Sequence, residues 1–280
     1  MMDLGLQDKV VLVTGASGDI GAAMVEAFVA EGCEVVAQGL HRVDELRSRC
    51  ADGPVHVVRA DLGDAVSVQE MYDQLAHDVG RIDVLIANAG RWPEPDLRLD
   101  QTPVEDLDRV LVDNLLSAML TARGFMQQLA ARGPRADGHG ASITFTGSTA
   151  GRFGEAGHVA YSAAKAGILG LVRTLKNELV HLDPWARVNV IEPGWTATTR
   201  VREGLGQPES ASRALQTMPL RQLARCEDIA RAAVFLASPL AARHVSGERL
   251  TVAGGMEGRR LWSPGETEVA RMVRRLEPDF

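Results

Sequence analysis

Short, wholly apolar runs alternate along the chain with longer stretches in which apolar positions recur every three or four residues. Val10-Val11-Leu12-Val13 has no polar member, as expected of a strand covered on both faces. Glu34 to Gln38, Val55 to Val58, Val84 to Ile86, Ser142 to Phe145, Arg187 to Ile191 and Leu250 to Val252 complete a predicted set of seven strands. Helical periodicity fills the gaps over 20–30, 66–79, 104–131, 160–181 and 226–237. Strands alternating with helices predict an α/β protein, with a doubly wound, seven-stranded parallel sheet between two helical layers. No composition break, long linker or internal repeat interrupts the series, so residues 1–255 read as a single domain.

Two regions fit this alternation poorly. Residues 195–222 carry Trp195, Gly204, Gly206, Pro208 and Pro219 and read as an excursion with one short helix, placed to cover a substrate. Residues 256–280 read as a C-terminal tail. It is expected to be helical where Val269, Met272, Val273 and Leu276 share one face, and to dock on its own domain or on a neighbouring subunit.

Composition narrows the function classes. The 280 residues have a formal net charge of -7, and the pI is about 5.5. That balance disfavours nucleic acid and anionic membrane as bulk partners, while leaving room for a local basic pocket. Cys33, Cys50 and Cys226 are odd in number and widely spaced, which fits reduced thiols in a cytoplasmic protein rather than disulfides or a metal cluster. The first residues lack the basic and apolar regions of a signal peptide. The seven histidines show no HxxxH or HExxH spacing, so no metal is expected.

Between the first strand and the first helix lies Thr14-Gly15-Ala16-Ser17-Gly18-Asp19-Ile20-Gly21. Glycines there let the backbone approach a pyrophosphate, and the helix N-terminus supplies free N–H groups. At the end of the second strand an acidic residue would bind a ribose 2′-hydroxyl and select NAD(H). The segment instead reads Ala37-Gln38-Gly39-Leu40-His41-Arg42, with no acid before Asp44. Arg42 either meets a 2′-phosphate or is a solvated residue at a helix start. The reading preferred is NADP(H), with NAD(H) as the alternative.

Taken together, these segments and those below resemble the short-chain dehydrogenase/reductase family over about residues 6–255. Ala87-Asn88-Ala89-Gly90 is similar to the family's NNAG. Asn114 matches the helical asparagine of its catalytic tetrad, and Ser148 in Thr146-Gly147-Ser148 its serine. Tyr161-Ser162-Ala163-Ala164-Lys165 matches YxxxK. Pro193-Gly194, with Thr198 beyond, matches the segment that holds the nicotinamide carboxamide, and Asp61-Leu62 resembles the pair that flanks the adenine. The resemblance implies a Rossmann domain and cofactor contacts from Gly15, Ser17, Gly18, Asp19, Ile20, Gly21, Arg42, Asp61, Leu62, Asn88, Gly90, Tyr161, Lys165, Pro193, Gly194 and Thr198. One departure stands out. The family turn is usually TGxxxGxG, and Asp19 occupies the position of the middle glycine. A carboxylate is favoured at a helix N-terminus, yet it would repel a nearby pyrophosphate.

Tyr161 and Lys165 are one helical turn apart and share a face. A phenol titrates near pH 10, and an adjacent ammonium lowers that value. Tyr161 is therefore the expected general acid/base, with Ser148 polarising the substrate oxygen. The resemblance further implies that Lys165 bonds the nicotinamide ribose and that Asn114 holds a relay water. The activity implied is hydride transfer between the dinucleotide and a small carbonyl or secondary alcohol. Alternatives are a non-catalytic nucleotide sensor or scaffold, and an epimerase or dehydratase that retains its cofactor. Arg152, Phe153, His158, Trp195 and Trp92 are candidate substrate contacts. Ser117, Ala118, Ala122, Ala163, Ala164, Gly167 and Gly170 give small helix faces, and family members pair these helices, so a homo-oligomer, dimer or tetramer, is expected.

Overall fold

The computed structural model describes residues 3–51, 53–204 and 208–277. Met1, Met2, Gly206 and the last three residues of the tail lie outside the described residues. Seven parallel strands form one sheet: β1 (Val10–Val13), β2 (Glu34–Gly39), β3 (Val55–Arg59), β4 (Val84–Ala87), β5 (Ser142–Thr146), β6 (Arg187–Pro193) and β7 (Arg249–Val252). Their order is β3-β2-β1-β4-β5-β6-β7, every pair parallel. The order reverses between β1 and β4, where an open α/β sheet leaves a crevice beyond the strand ends.

Side-chain alternation divides the strands between two cores. On one face Leu12, Leu85, Ile143 and Phe145 pack with Phe125 and Val172. These come from helices α5 (Ser117–Arg132) and α7 (Val159–Glu178), beside α3 (Ala65–Asp78). On the other face Val11, Val13 and Ile86 pack against Met24 and Phe28 of α1 (Asp19–Ala30) and Ile229 and Ala233 of α10 (Cys226–Ala237). Full burial of each such side chain contributes roughly 1.5–3 kcal/mol. The short helix α2 (Val43–Arg49) follows β2.

The predicted helix 104–131 is two helices, α4 (Val104–Leu111) and α5, joined by a π-helical segment, Val112–Leu116. Asn114 lies inside it and donates through Nδ2 to the Val110 carbonyl four residues back, at 3.0 Å. The side chain thus takes an acceptor that a regular α-helix reserves for the backbone, and the turn widens there. The small-residue faces also resolve differently. Ser117, Ala118, Ala122 and Ala164 are buried within the chain, and Gly167 makes room for Leu115, whose Cδ2 lies 3.0 Å from where a Cβ would stand. Ala163 and Gly170 remain exposed.

The excursion holds two helices rather than one, α8 (Thr199–Gly204) and α9 (Pro208–Gln216). The tail is mostly irregular. Its helix α11 spans only Val269–Arg274, after a 3₁₀ turn at Pro264–Glu266 that Ser263 and Glu266 cap reciprocally. The tail docks on its own chain. Met272 and Leu276 are buried with Ala211, Ala214, Leu215, Met218 and Leu223, whereas Val273 is exposed. Trp262 Nε1 donates to the Met218 carbonyl at 2.9 Å. Among the described residues, no helix is long and apolar enough to cross a membrane.

Candidate active site

A cleft of about 610 Å³ opens along the C-terminal ends of β1, β4, β5 and β6. Its dinucleotide end is built by tight turns. Gly15 has φ of +66°, and a Cβ there would lie 2.8 Å from Ala89 Cα. A Cβ on Gly21 would fall 2.3 Å from the Gly15 carbonyl oxygen. Only glycine lets the chain turn this closely from β1 into α1. The buried Gln38, which sequence reasoning passed over, braces the turn. Its Oε1 accepts from Gly15 N at 3.0 Å and its Nε2 donates to Ala60 O at 2.8 Å. A buried side-chain amide used on both sides is the signal that could have found it.

Asn88 joins three strands at the reversal point. Its Nδ2 donates to Thr14 O at 3.1 Å, while its Oδ1 accepts from Thr146 Oγ1 at 3.3 Å. Thr14 Oγ1 in turn accepts from the amides of Asn88 and Ala89, each at 3.0 Å. Asn114 clamps the next loop, accepting from Arg91 N at 3.0 Å and donating to Arg91 O at 2.9 Å. Gly90 sits directly against Asn114 and Lys165. A Cβ on it would come within 2.7 Å of Asn114 Oδ1 and 3.0 Å of Lys165 Nζ.

Ser148 ends the β5 turn and caps α6 (Thr149–Phe153), its Oγ accepting from Ala150 N at 3.1 Å. The same hydroxyl is hydrogen-bonded to the Tyr161 phenol. Lys165 donates to the Thr146 carbonyl at 3.0 Å, and its Nζ stands 5.6 Å from the Tyr161 ring centroid. The electrostatics differ from the expected phenol acidified by an ammonium. Burial pushes the Tyr161 phenol above its ordinary value, and the Ser148 hydrogen bond pulls it part of the way back. Burial also lowers Lys165 to about 8. Removing water disfavours both charges, and of the two groups only the lysine is charged at neutral pH.

At the substrate end Trp92 packs between two rings, 4.1 Å from His158 and 4.9 Å from Tyr161 between centroids. His158 is buried, with Nε2 2.9 Å from Asp96 Oδ1 and no hydrogen-bond partner for Nδ1. Trp195, Asp96 and Glu155 complete this wall, and burial raises the Glu155 carboxyl. Two candidate substrate residues lie elsewhere. Arg152 reaches Thr251 Oγ1 at 3.4 Å and covers the Phe153 ring, and Phe153 packs where a Cβ on Gly258 would stand. The turn after Ser148 becomes helix α6, which carries both side chains away from the cleft.

Of the residues named for the cofactor, Gly15, Gly18, Asp19, Ile20, Gly21, Asn88, Gly90, Tyr161, Lys165, Pro193, Gly194 and Thr198 line this one cleft. Ser17, Arg42, Asp61 and Leu62 lie outside its lining. Arg42 donates through Nη2 to Ser17 O at 2.8 Å, beyond the turn. Asp61 Oδ1 accepts from Gly63 N at 2.9 Å. The Leu62 side chain belongs to the core, which leaves only its backbone to meet a ligand. A glycine floor, a helix N-terminus that lines the cleft and a long crevice fit a dinucleotide, with Asp19 the discordant group.

A family model described as Enoyl-(Acyl carrier protein) reductase matches residues 15–257. The 3-oxoacyl-[acyl-carrier-protein] reductase FabG of Escherichia coli (strain K12) is 30% identical over 258 residues, covering 90% of this chain and 99% of the relative. The cis-4-hydroxycyclohexanecarboxylate dehydrogenase of Sinomonas cyclohexanicum is 34% identical over 254 residues, covering 89% and 96%. A crystal structure from Agrobacterium tumefaciens assigned as a gluconate dehydrogenase superimposes with a TM-score of 0.81 at 25% identity, covering 91% of this chain and 98% of that one. The chain belongs to the short-chain dehydrogenase/reductase family, as an NAD(P)-dependent oxidoreductase acting on CH–OH and C=O groups.

Proposed function

We propose that this protein reduces a small carbonyl compound to the secondary alcohol with NADP(H) in preference to NAD(H), Tyr161 serving as general acid/base. One observation carries the reading: Ser148, Tyr161, Lys165 and Asn114 gather on the wall of the cleft whose floor is the glycine-rich turn. The bound nicotinamide supplies the hydride. The chain does the rest. Tyr161 hands its proton to the substrate oxygen, and the Ser148 hydroxyl orients that oxygen. A phenol raised by burial is protonated at neutral pH, which suits it to act as the acid in the reductive direction. Lys165, held by the Thr146 carbonyl, is placed to bond the nicotinamide ribose, and Asn114 fixes the loop carrying Gly90 and Arg91.

Support for NADP(H) comes from the adenosine end. No carboxylate follows β2 before Asp44, and Asp44 is paired with Arg47 at 3.0 Å. The Arg42 guanidinium is left beside Ser17, where a 2′-phosphate would find a positive partner. Cysteine usage favours the cytoplasm. Exposed Leu111, Leu116, Met119 and Val159 favour a homo-oligomer through α4, α5 and α7. Residues 1–255 are proposed to act as a single dehydrogenase domain. The test is a panel of aldehydes, ketones, 3-oxoacyl thioesters and hydroxylated ring ketones, run with NADPH and with NADH. Net NADPH oxidation with at least one class supports a reductase. Tight NADPH binding with no turnover on any class, in either direction, would overturn it.

A further inference from the structure

The carboxylate that breaks the glycine pattern is already engaged, and by a distant part of the chain. Asp19 Oδ2 accepts from Thr199 N at 2.7 Å, and its Oδ1 accepts from Thr199 Oγ1 at 3.1 Å. These residues are 180 positions apart. Thr199 opens α8, and the next residue fixes α8 to the other wall. Arg200 forms an ion pair with Glu94 at 2.5 Å and lies 5.8 Å over the Trp92 ring. Helix α8 therefore bridges the cleft, held by the dinucleotide turn on one side and by the substrate loop on the other. Asp19, Trp92, Thr198 and Arg200 all line the space beneath it.

We propose that Asp19 and Thr199 form a latch that couples docking of α8 over the cleft to occupation of the dinucleotide site. The proposal rests on the dinucleotide reading above. A pyrophosphate seated on the α1 N-terminus shares its surroundings with the Asp19 carboxylate, and like charges repel. With α8 docked, two donors from Thr199 hold both carboxylate oxygens and offset part of their charge. With α8 released, the carboxylate stands bare at the entrance to the turn. The docked state is thus the one that tolerates the dinucleotide. Linkage then requires the converse, that a bound dinucleotide favours the docked helix by the same factor. Asp19 is a positioning residue in this scheme, acting through Thr199.

A double-mutant cycle on NADPH affinity tests it, read by nicotinamide fluorescence with no substrate present. Thr199→Pro removes both donors, and proline is tolerated at the first position of a helix because its N–H is not used within it. Asp19→Asn removes the charge at nearly constant size. In the parent protein Thr199→Pro is expected to weaken NADPH binding about 10-fold, within the usual range of such couplings. In the Asp19→Asn background the same change is expected to cost less than about 2-fold, because no charge remains to be masked. Thr199→Val, which removes only the hydroxyl donor, is expected to fall between and guards against a local folding defect. Limited trypsin digestion supplies a second readout. NADPH should protect the Arg200 and Arg202 sites in the parent protein but not in Asp19→Asn. Equal losses from Thr199→Pro in both backgrounds, or equal protection in both proteins, would overturn the latch while leaving the dinucleotide site standing. Absence of NADPH and NADH binding by the parent protein would instead overturn the function reading itself.

Discussion

Lys165 Nζ donates to the Thr146 carbonyl oxygen at 3.0 Å, so the one buried ammonium of the cleft wall is fixed to the end of β5 rather than free to follow the phenol. Burial lowers Lys165 from 10.5 to about 8. The unfolded chain therefore binds this proton more tightly than the folded one. The resulting cost is fully present below pH 8, declines as pH rises from about 8 to 10.5, and is gone above that. It amounts to about 3 kcal/mol at pH 7. Lys165→Met should be inactive yet more stable than the parent at pH 7, after about 1 kcal/mol is lost with the Thr146 hydrogen bond. Urea midpoints at pH 7 and pH 10 check this. The gap should close toward pH 10, and a variant less stable than the parent at pH 7 would refute it.

Tyr161→Phe keeps the ring that Trp92 packs against and removes only the hydroxyl bonded to Ser148. Turnover should fall about 10²- to 10⁴-fold, the range for loss of a general acid/base. NADPH affinity should stay within about 2-fold, measured by fluorescence titration. Because burial holds the phenol above its ordinary value, the parent's reductive kcat/KM should be level through neutral pH and fall only in the alkaline range. A fall beginning below pH 7 would assign the acid to another group.

The tail makes a prediction of a different kind. Met272 of α11 is buried against Ala211, Ala214 and Leu215 of α9, and Ala211 and Ala214 also line the cleft. Truncating a buried methionine typically costs at least about 2 kcal/mol. Met272→Ala should loosen α9 and raise the KM for the carbonyl substrate, leaving the dissociation constant for NADPH within about 2-fold. Steady-state kinetics beside a cofactor titration separate the two ends of the cleft. An equal change at both ends would mean that the tail supports the whole fold and not the substrate wall.

The central strands β1 and β4 were the most legible, because burial on both faces favours wholly apolar runs there. Val10–Val13 begins and ends where the apolar run does. Asn114, Ser148, Tyr161 and Lys165 were singled out by their resemblance to the family's motifs, and the structure brings all four to the lining of one cleft. What escaped depends on contacts between distant segments. The π-helical segment exists because Asn114 is drawn onto Arg91 and Val110, and periodicity cannot register one widened turn. Asp19 reads as a misfit in the glycine pattern, and nothing near it in sequence points to Thr199. Arg152 and Phe153 were misplaced because a five-residue helix, too short to show a period, turns them outward. The tail's apolar spacing was genuine, but Pro264 and the preceding turn confine the helix to Val269–Arg274.

Cofactor choice turns on one exposed side chain. Arg42 has φ of 52°, at the N-terminal cap of α2, and this backbone sends its guanidinium back to Ser17 O. That contact admits two roles for Arg42, bracing the glycine-rich turn or meeting a 2′-phosphate, and the two predict different patterns. A charge-assisted contact to phosphate is worth about 1.5–3 kcal/mol, or roughly 10- to 100-fold in affinity. Arg42→Ala should therefore weaken NADPH by at least about 10-fold and leave NADH within about 2-fold, since NADH has no 2′-phosphate to lose. Added salt should shrink the difference for NADPH and not for NADH, because the contact is exposed and screened. If both cofactors weaken together, Arg42 serves the turn through Ser17, and the preference for NADP(H) loses its structural basis.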